Sequence, residues 1–181
     1  MKTDLQNYII ANTSGGDEGS FIDKIVAISR AAGYTPVEIN TDKPWGSYVK
    51  FDGQDANVFI AEFFPALSPL EARSGDEAAE LSPKILVVSP KQRLSWQYHN
   101  RRAERWVFLT DGAYYKSLSD EQGALEHVTA GAEVQFVCGE RHRLVGLENE
   151  FAVVAEIWQH TDGQNLSDED DIVRLQDDYS R

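Results

Sequence analysis

From Pro83 onward the chain is a succession of short apolar or alternating runs separated by turn residues, and nothing else in it constrains the fold as tightly. Lys84 to Val88 is a β-branched run closed by Ser89 and Pro90. Trp106 to Leu109 ends at Asp111-Gly112, a dipeptide that favours a hairpin because it tolerates positive φ. Ala113 to Leu118, Glu126 to Thr129, Glu133 to Val137, Arg143 to Leu147 and Phe151 to His160 continue the series. Short strands at roughly ten-residue spacing predict an all-β sandwich or barrel of the jelly-roll kind.

The N-terminal part reads differently. Phe21, Ile22, Ile25, Val26, Ile28 and Ala32 recur at helical spacing, and Gly33 stands where a C-cap glycine would, so a helix is predicted over about residues 18–32. The first 15 residues are only weakly periodic. Lys43-Pro44-Trp45-Gly46 is a turn signal leading into Ser47 to Phe51, which alternates like a strand. Residues 66–83, rich in Ala and Glu, predict a surface excursion with one short helix, or a lid over whatever site the β domain carries. The predicted organisation is a helical extension, 1–42, ahead of a β domain, 43–181.

A chain of 181 residues can bury one substantial core. Its net charge of −13 argues against nucleic acid and against anionic membrane, both of which need a basic surface. The charge is uneven, however. Acidic residues crowd 168–178, whereas Arg93, Arg101, Arg102, Arg105, Arg141 and Arg143 form either a basic patch suited to a small anion or a set of solvated strand-end arginines. Cys138 is the only cysteine, so no disulfide forms within the chain, and a buried structural thiol is expected. With no basic, apolar leader and no run long enough to span a bilayer, a cytoplasmic protein is expected.

Gln97, His99 and Glu104 lie within eight residues of one another, and His142 follows downstream. Gln97 and His99 are two apart on a predicted strand and share a face; Trp96 and Tyr98 take the other. Glu104 has the opposite parity and joins them only if residues 100–102 turn and reset the register. Two imidazoles, a carboxylate and an amide oxygen suit a divalent cation with positions left open. The competing reading is two satisfied histidines beside a surface glutamate.

These residues resemble the cupin motifs. The first motif places two ligands two apart and then a glutamate, matched by Gln97, His99 and Glu104; the second is matched by Gly131, Gly139 and His142, with Val137 where proline is usual. Within the cupins the chain resembles type II phosphomannose isomerases, the isomerase half that often follows a mannose-1-phosphate guanylyltransferase domain. Lys43 to Gly46, Arg93 to His99 and Asp168 to Arg181 carry that likeness, over about residues 43–181 apart from 54–82. Arginine stands at 101 and 105 where the class usually has histidine.

The resemblance implies a cupin barrel and aldose–ketose isomerisation of a sugar phosphate, as in mannose-6-phosphate isomerase. It implies a divalent metal on Gln97, His99, Glu104 and His142, zinc first and manganese, iron, cobalt or nickel as alternatives. Lys84 and Arg181 are the implied catalytic cations, Arg181 as a phosphate fork, with Arg101 and Arg174 as substrate-binding residues. Glu156 and His160 share one strand face, so either could move a proton if that face is interior; His160 reads better as a satisfied histidine. A homodimer is expected because a jelly roll exposes strand edges, with the N-terminal helix swapping or capping the pair. The alternative is a sugar-phosphate- or nucleotide-sugar-binding cupin without catalysis, which the arginines at 101 and 105 would explain.

Overall fold

The computed structural model describes residues 3–13 and 16–179. Among these residues two antiparallel sheets face each other across an apolar cluster. The six-stranded sheet runs β1 (Pro36–Lys43), β2 (Gly46–Phe51), β3 (Lys84–Val88), β10 (Ala152–His160), β5 (Arg102–Phe108) and β8 (Glu133–Phe136). The five-stranded sheet runs β11 (Val173–Gln176), β4 (Trp96–Tyr98), β9 (Arg141–Val145), β6 (Gly112–Ser117) and β7 (Glu126–Val128). The architecture is an antiparallel jelly roll, as its strand rhythm predicts.

The six-stranded sheet is covered on both faces, which is why β10 is buried along nearly its whole length. Inward-facing Leu86, Val88, Phe108 and Val154 meet Tyr114 and Leu144 of the opposing sheet. Outward-facing Val49, Ile85, Val87, Val153 and Ile157 pack against helices α1 (Asp4–Ala11), α2 (Glu18–Ala31) and α3 (Ala56–Phe63). In α2 the Asp17 carboxylate caps the Ser20 N–H at 2.9 Å, and Phe21, Ile22, Ile25 and Val26 form the buried stripe. Each such side chain contributes roughly 1.5–3 kcal/mol on leaving water. This helix covers the outer face of the six-stranded sheet. The expected boundary at residue 43 falls at the end of β1.

Two glycines fix the path. At Gly46, φ is +139° and a Cβ would fall 2.1 Å from the Val87 carbonyl oxygen, so the turn after Trp45 requires glycine. At Gly112 a Cβ would fall 2.6 Å from the Phe108 ring. The hairpin expected at Asp111-Gly112 does not form. β5 pairs with β10 and β8, whereas β6 pairs with β7 and β9, so the dipeptide carries the chain from one sheet to the other. α3 precedes the excursion, which holds the short α4 (Pro69–Ala72), and Glu80 there accepts hydrogen bonds at its carbonyl from Trp158 and His160. No helix among the described residues is long and apolar enough to cross a membrane.

Candidate metal centre

A bend at Asn100 and Arg101 separates β4 from β5 and resets the register. Burial then alternates along β5, with Arg102, Glu104, Trp106 and Phe108 inward. Gln97 on β4 is the direct cross-strand partner of His142 on β9, so both project to one face. The ligand atoms of His99, Glu104 and His142 all lie within 4.8 Å of one another, and all three residues are buried. Gln97 is also buried; its Oε1 accepts from Ser95 Oγ at 2.6 Å.

Both imidazoles are fixed by carbonyls. His99 Nδ1 donates to the Asp171 carbonyl, and His142 Nδ1 donates to the Glu140 carbonyl at 3.0 Å. A carbonyl only accepts, so each Nδ1 carries the proton and each Nε2 presents a lone pair. His99 Nε2 lies 3.0 Å from Glu104 Oε1, and His142 Nε2 lies 3.2 Å from Oε2. Neither contact is angled as a hydrogen bond, and both Nε2 atoms and Oε2 lack a partner. Lone pairs crowded at such separations in a dry site repel unless they share a cation. Donors about 2.1 Å from one ion fall at roughly these mutual distances. The residues therefore fit a divalent metal. Burial alone would raise the Glu104 carboxyl, but the Arg102 guanidinium, 3.0 Å from Oε1, helps hold the group well below the usual carboxylate range.

Beside this cluster lies a cavity of about 180 Å³ whose wall includes Lys84, Gln97, Glu104, Glu156, Glu169 and Arg174. Glu156 accepts from Trp106 Nε1 at 3.0 Å and lies 3.8 Å from Lys84 Nζ. Burial, reinforced by repulsion from Glu104, pushes its carboxyl up to about 7. Lys84 bonds Glu169 at 2.8 Å. His160, by contrast, is fully satisfied: Nε2 donates to Glu80 and Nδ1 accepts from the Ser167 N–H.

The other expected site residues divide. Arg174 pairs with Gln97 in the β4–β11 ladder, lines the cavity, and is exposed. Arg101 stands outside it; its guanidinium reaches the Leu166 carbonyl and Asp168. Arg181 lies outside the described residues. The basic patch is neutralised: Arg93 and Arg143 face Asp178, Arg105 faces Glu133, and Arg141 faces Asp120. Cys138 is half-buried, its thiol 3.6 Å from the His99 carbonyl, rather than a core thiol.

Three residues escaped sequence reasoning. Arg102 is buried and bridges Glu104 Oε1 at 3.0 Å to the Asp168 carbonyl at 2.7 Å; its parity with Glu104 was the available signal. The Asp171 carboxylate accepts from the Asn100 and Arg101 N–H groups at 2.9 Å and from Ser167 Oγ at 2.8 Å. Glu169 closes one side of the cavity. The last two sit in an acidic run that reads as solvated.

The sequence profile of the family described as mannose-6-phosphate isomerase C-terminal matches residues 71–177. A mannose-1-phosphate guanylyltransferase of Salmonella montevideo is 27% identical over 175 residues, covering 96% of this chain. The chain spans about 30% of that relative's length. Among solved structures, the oxalate decarboxylase of Bacillus subtilis, whose Mn(II) centres have been characterised, superposes with a TM-score of 0.50 at 14% identity, covering 78% of this chain and 30% of that one. That likeness shows the fold. A cupin 2 conserved barrel domain protein of Salinispora arenicola is 22% identical with a TM-score of 0.38, over 45% of this chain and 64% of its own.

Proposed function

The chain belongs to the mannose-6-phosphate isomerase C-terminal family, and from that premise we propose that it is a metal-dependent isomerase of a sugar phosphate, interconverting aldose and ketose as mannose-6-phosphate isomerase does. The observation that carries the reading is the convergence of His99, Glu104 and His142, lone pairs inward, against a cavity walled by Lys84 and Glu156. Gln97 is the fourth proposed ligand, since it flanks His142 across the ladder. A divalent cation there, zinc first among the candidates, supplies Lewis-acid charge beside an oxygen that becomes anionic.

The chain's own residues do the rest. Gln97 and Ser95 offer polar groups to sugar hydroxyls, and Arg174 offers an exposed guanidinium to the anionic end. Glu156 takes the proton from the carbon next to the carbonyl; the released pair forms the carbon–carbon double bond of a cis-enediolate. The same carboxyl returns a proton to the neighbouring carbon while the hydroxyl proton passes from one enediolate oxygen to the other, completing the shift. Lys84, close to the Glu156 carboxylate, counters negative charge as it develops.

The test is metal analysis followed by a coupled assay with mannose 6-phosphate and a panel of aldose and ketose phosphates. Stoichiometric metal with turnover that Glu156→Gln abolishes is expected. Metal-replete protein that turns over nothing leaves the non-catalytic sugar-phosphate or nucleotide-sugar binder, a reading favoured by the pairing of Lys84 with Glu169. Protein that takes up no metal defeats both. A homodimer is proposed through the β1 edge, where Val37 and Ile39 are 53% and 44% exposed, and light scattering that finds only monomer removes it.

A further inference from the structure

Three donors from separate strands and loops converge on one carboxylate beside the barrel mouth. Lys50 Nζ reaches Glu169 Oε1 at 2.8 Å, Ser82 Oγ reaches the same oxygen at 2.7 Å, and Lys84 Nζ reaches Oε2 at 2.8 Å. We propose that Lys50, Lys84 and Ser82 form a phosphate-binding subsite that Glu169 occupies as an internal stand-in, and that a phosphomonoester enters by displacing the Glu169 side chain. This deepens the sugar-phosphate reading and rests on it for the identity of the ligand, but not for the site itself.

Cavity size is the first argument. About 180 Å³ is less than the roughly 300 Å³ at which small-molecule pockets begin. Across Glu169 lies a second cavity of about 890 Å³, walled by Lys50, Arg73, Ser82, Trp158 and Glu169 itself. Glu169 lines both, so swinging it aside joins the two. Chemistry is the second argument. A phosphate offers three acceptor oxygens and close to two negative charges where a carboxylate offers two oxygens and one charge, so it suits three donors better.

Cheapness of the exchange is the third. The backbone on either side is pinned, with Arg102 on the Asp168 carbonyl and the Asp171 carboxylate on two main-chain N–H groups. Only the Glu169 side chain, 46% exposed, needs to rotate. Burial would raise its carboxyl, yet Lys84, Lys50 and Ser82 bring it down to about 2, so the donors recognise an anion strongly. Arg93, Arg105 and Arg141 are already matched to carboxylates, so Arg174, which lines the smaller cavity, is the arginine that the test must separate from this subsite.

The test titrates inorganic phosphate into the full-length, chelator-treated protein, so that binding to metal does not contribute and turnover is not needed. Side-chain NMR signals of Lys50 and Lys84 are expected to shift, whereas Lys91, ion-paired with Glu148 elsewhere, stays still. In Glu169→Gln the competing carboxylate is gone and apparent affinity rises about tenfold, the relief expected when the competent state is no longer a minor one. Adding Lys50→Met removes that gain. No lysine shift in the unmutated protein, a gain that survives Lys50→Met, or binding that depends on Arg174 instead overturns the subsite. The isomerase reading then stands or falls by its own assay. If Glu169→Gln does not fold, the lysine shifts in the unmutated chain decide alone.

Discussion

The two ends of the barrel are built from the same strands yet hold opposite environments. On β3 the inward residues run Lys84, Leu86, Val88; on β5, Glu104, Trp106, Phe108; on β10, Glu156, Val154, Ala152. Register aligns them in layers: Glu156 opposite Lys84 and Trp106, Val154 opposite Leu86 and Phe108, Ala152 opposite Val88. One end is hydrocarbon. The other is a buried polar layer whose members bond one another or face the metal cluster. Trp106 lies between, fully buried, with its N–H on Glu156 and its ring edge-on to His142 at 5.4 Å. Alternation decides which face a residue takes; distance along the strand decides whether it stabilises the fold or serves the site.

That division is broken most directly at its apolar end. Phe108→Ala is expected to cost about 3–5 kcal/mol in urea unfolding, because Phe108 is fully buried against Gly112 and a cavity would replace it. Metal content per folded chain should not change. If metal affinity falls in step with stability, the two ends are one cooperative unit and the comparison fails.

At the polar end the expectation reverses. Glu104→Gln keeps an acceptor for Arg102 but removes the negative charge that the cation needs, so metal affinity should fall at least about a hundredfold and turnover with it. The chelator-treated variant should lose about 3 kcal/mol against the stripped parent, the low end for a broken buried pair, because Arg102 loses its counter-charge but keeps the Asp168 carbonyl and the Ser167 hydroxyl. A variant that cannot fold without metal would show Glu104 to be structural.

How much of this was legible in the sequence follows the same line. Strands with at least one face in the core announce themselves, and β2 to β6 and β8 to β10 all did, while the mostly exposed β7 was read from its spacing between turns. β1 and β11 did not, because edge strands with mostly exposed residues have no apolar alternation to read. α1 and α3 are eight residues each, too short for a clear helical period. In the site, His99, Glu104 and His142 were visible because the chain has only 4 histidines and because their spacing resembles the cupin motifs. Arg102, Glu169 and Asp171 were invisible because charged residues default to solvent, and only tertiary structure turns them inward.

A third, smaller effect sharpens the polar end. Asp171 holds the segment after β10 against the β4–β5 bend, and its carbonyl orients His99. In Asp171→Asn one carboxylate oxygen becomes an amide N–H₂ facing donors, so the bend loosens without losing bulk. Metal affinity, measured by competition with a chelator, should weaken about tenfold, the scale typical of groups that orient ligands. Unchanged affinity would mean that His99 is positioned by β4 alone.

The smallest expected effect is the acid response of Glu169. Its folded-state pKa, about 2, lies below the ordinary 4.5, so the ionised form is favoured by folding. The stabilisation is therefore complete above about pH 4.5 and is lost as pH falls toward about 2. Comparing the parent with Glu169→Gln isolates this contribution from every other carboxylate, because both chains share the rest. The parent should melt one or two degrees higher near pH 7, roughly the size a partly exposed pair allows, since water screens it. That gap should narrow steadily on acidification through the same window. A gap that stays constant into acid would mean that Lys50 and Lys84 do not hold the Glu169 carboxylate, and the wall between the two cavities would then be made by the backbone, part of the rigid frame rather than a side chain that an anion can move.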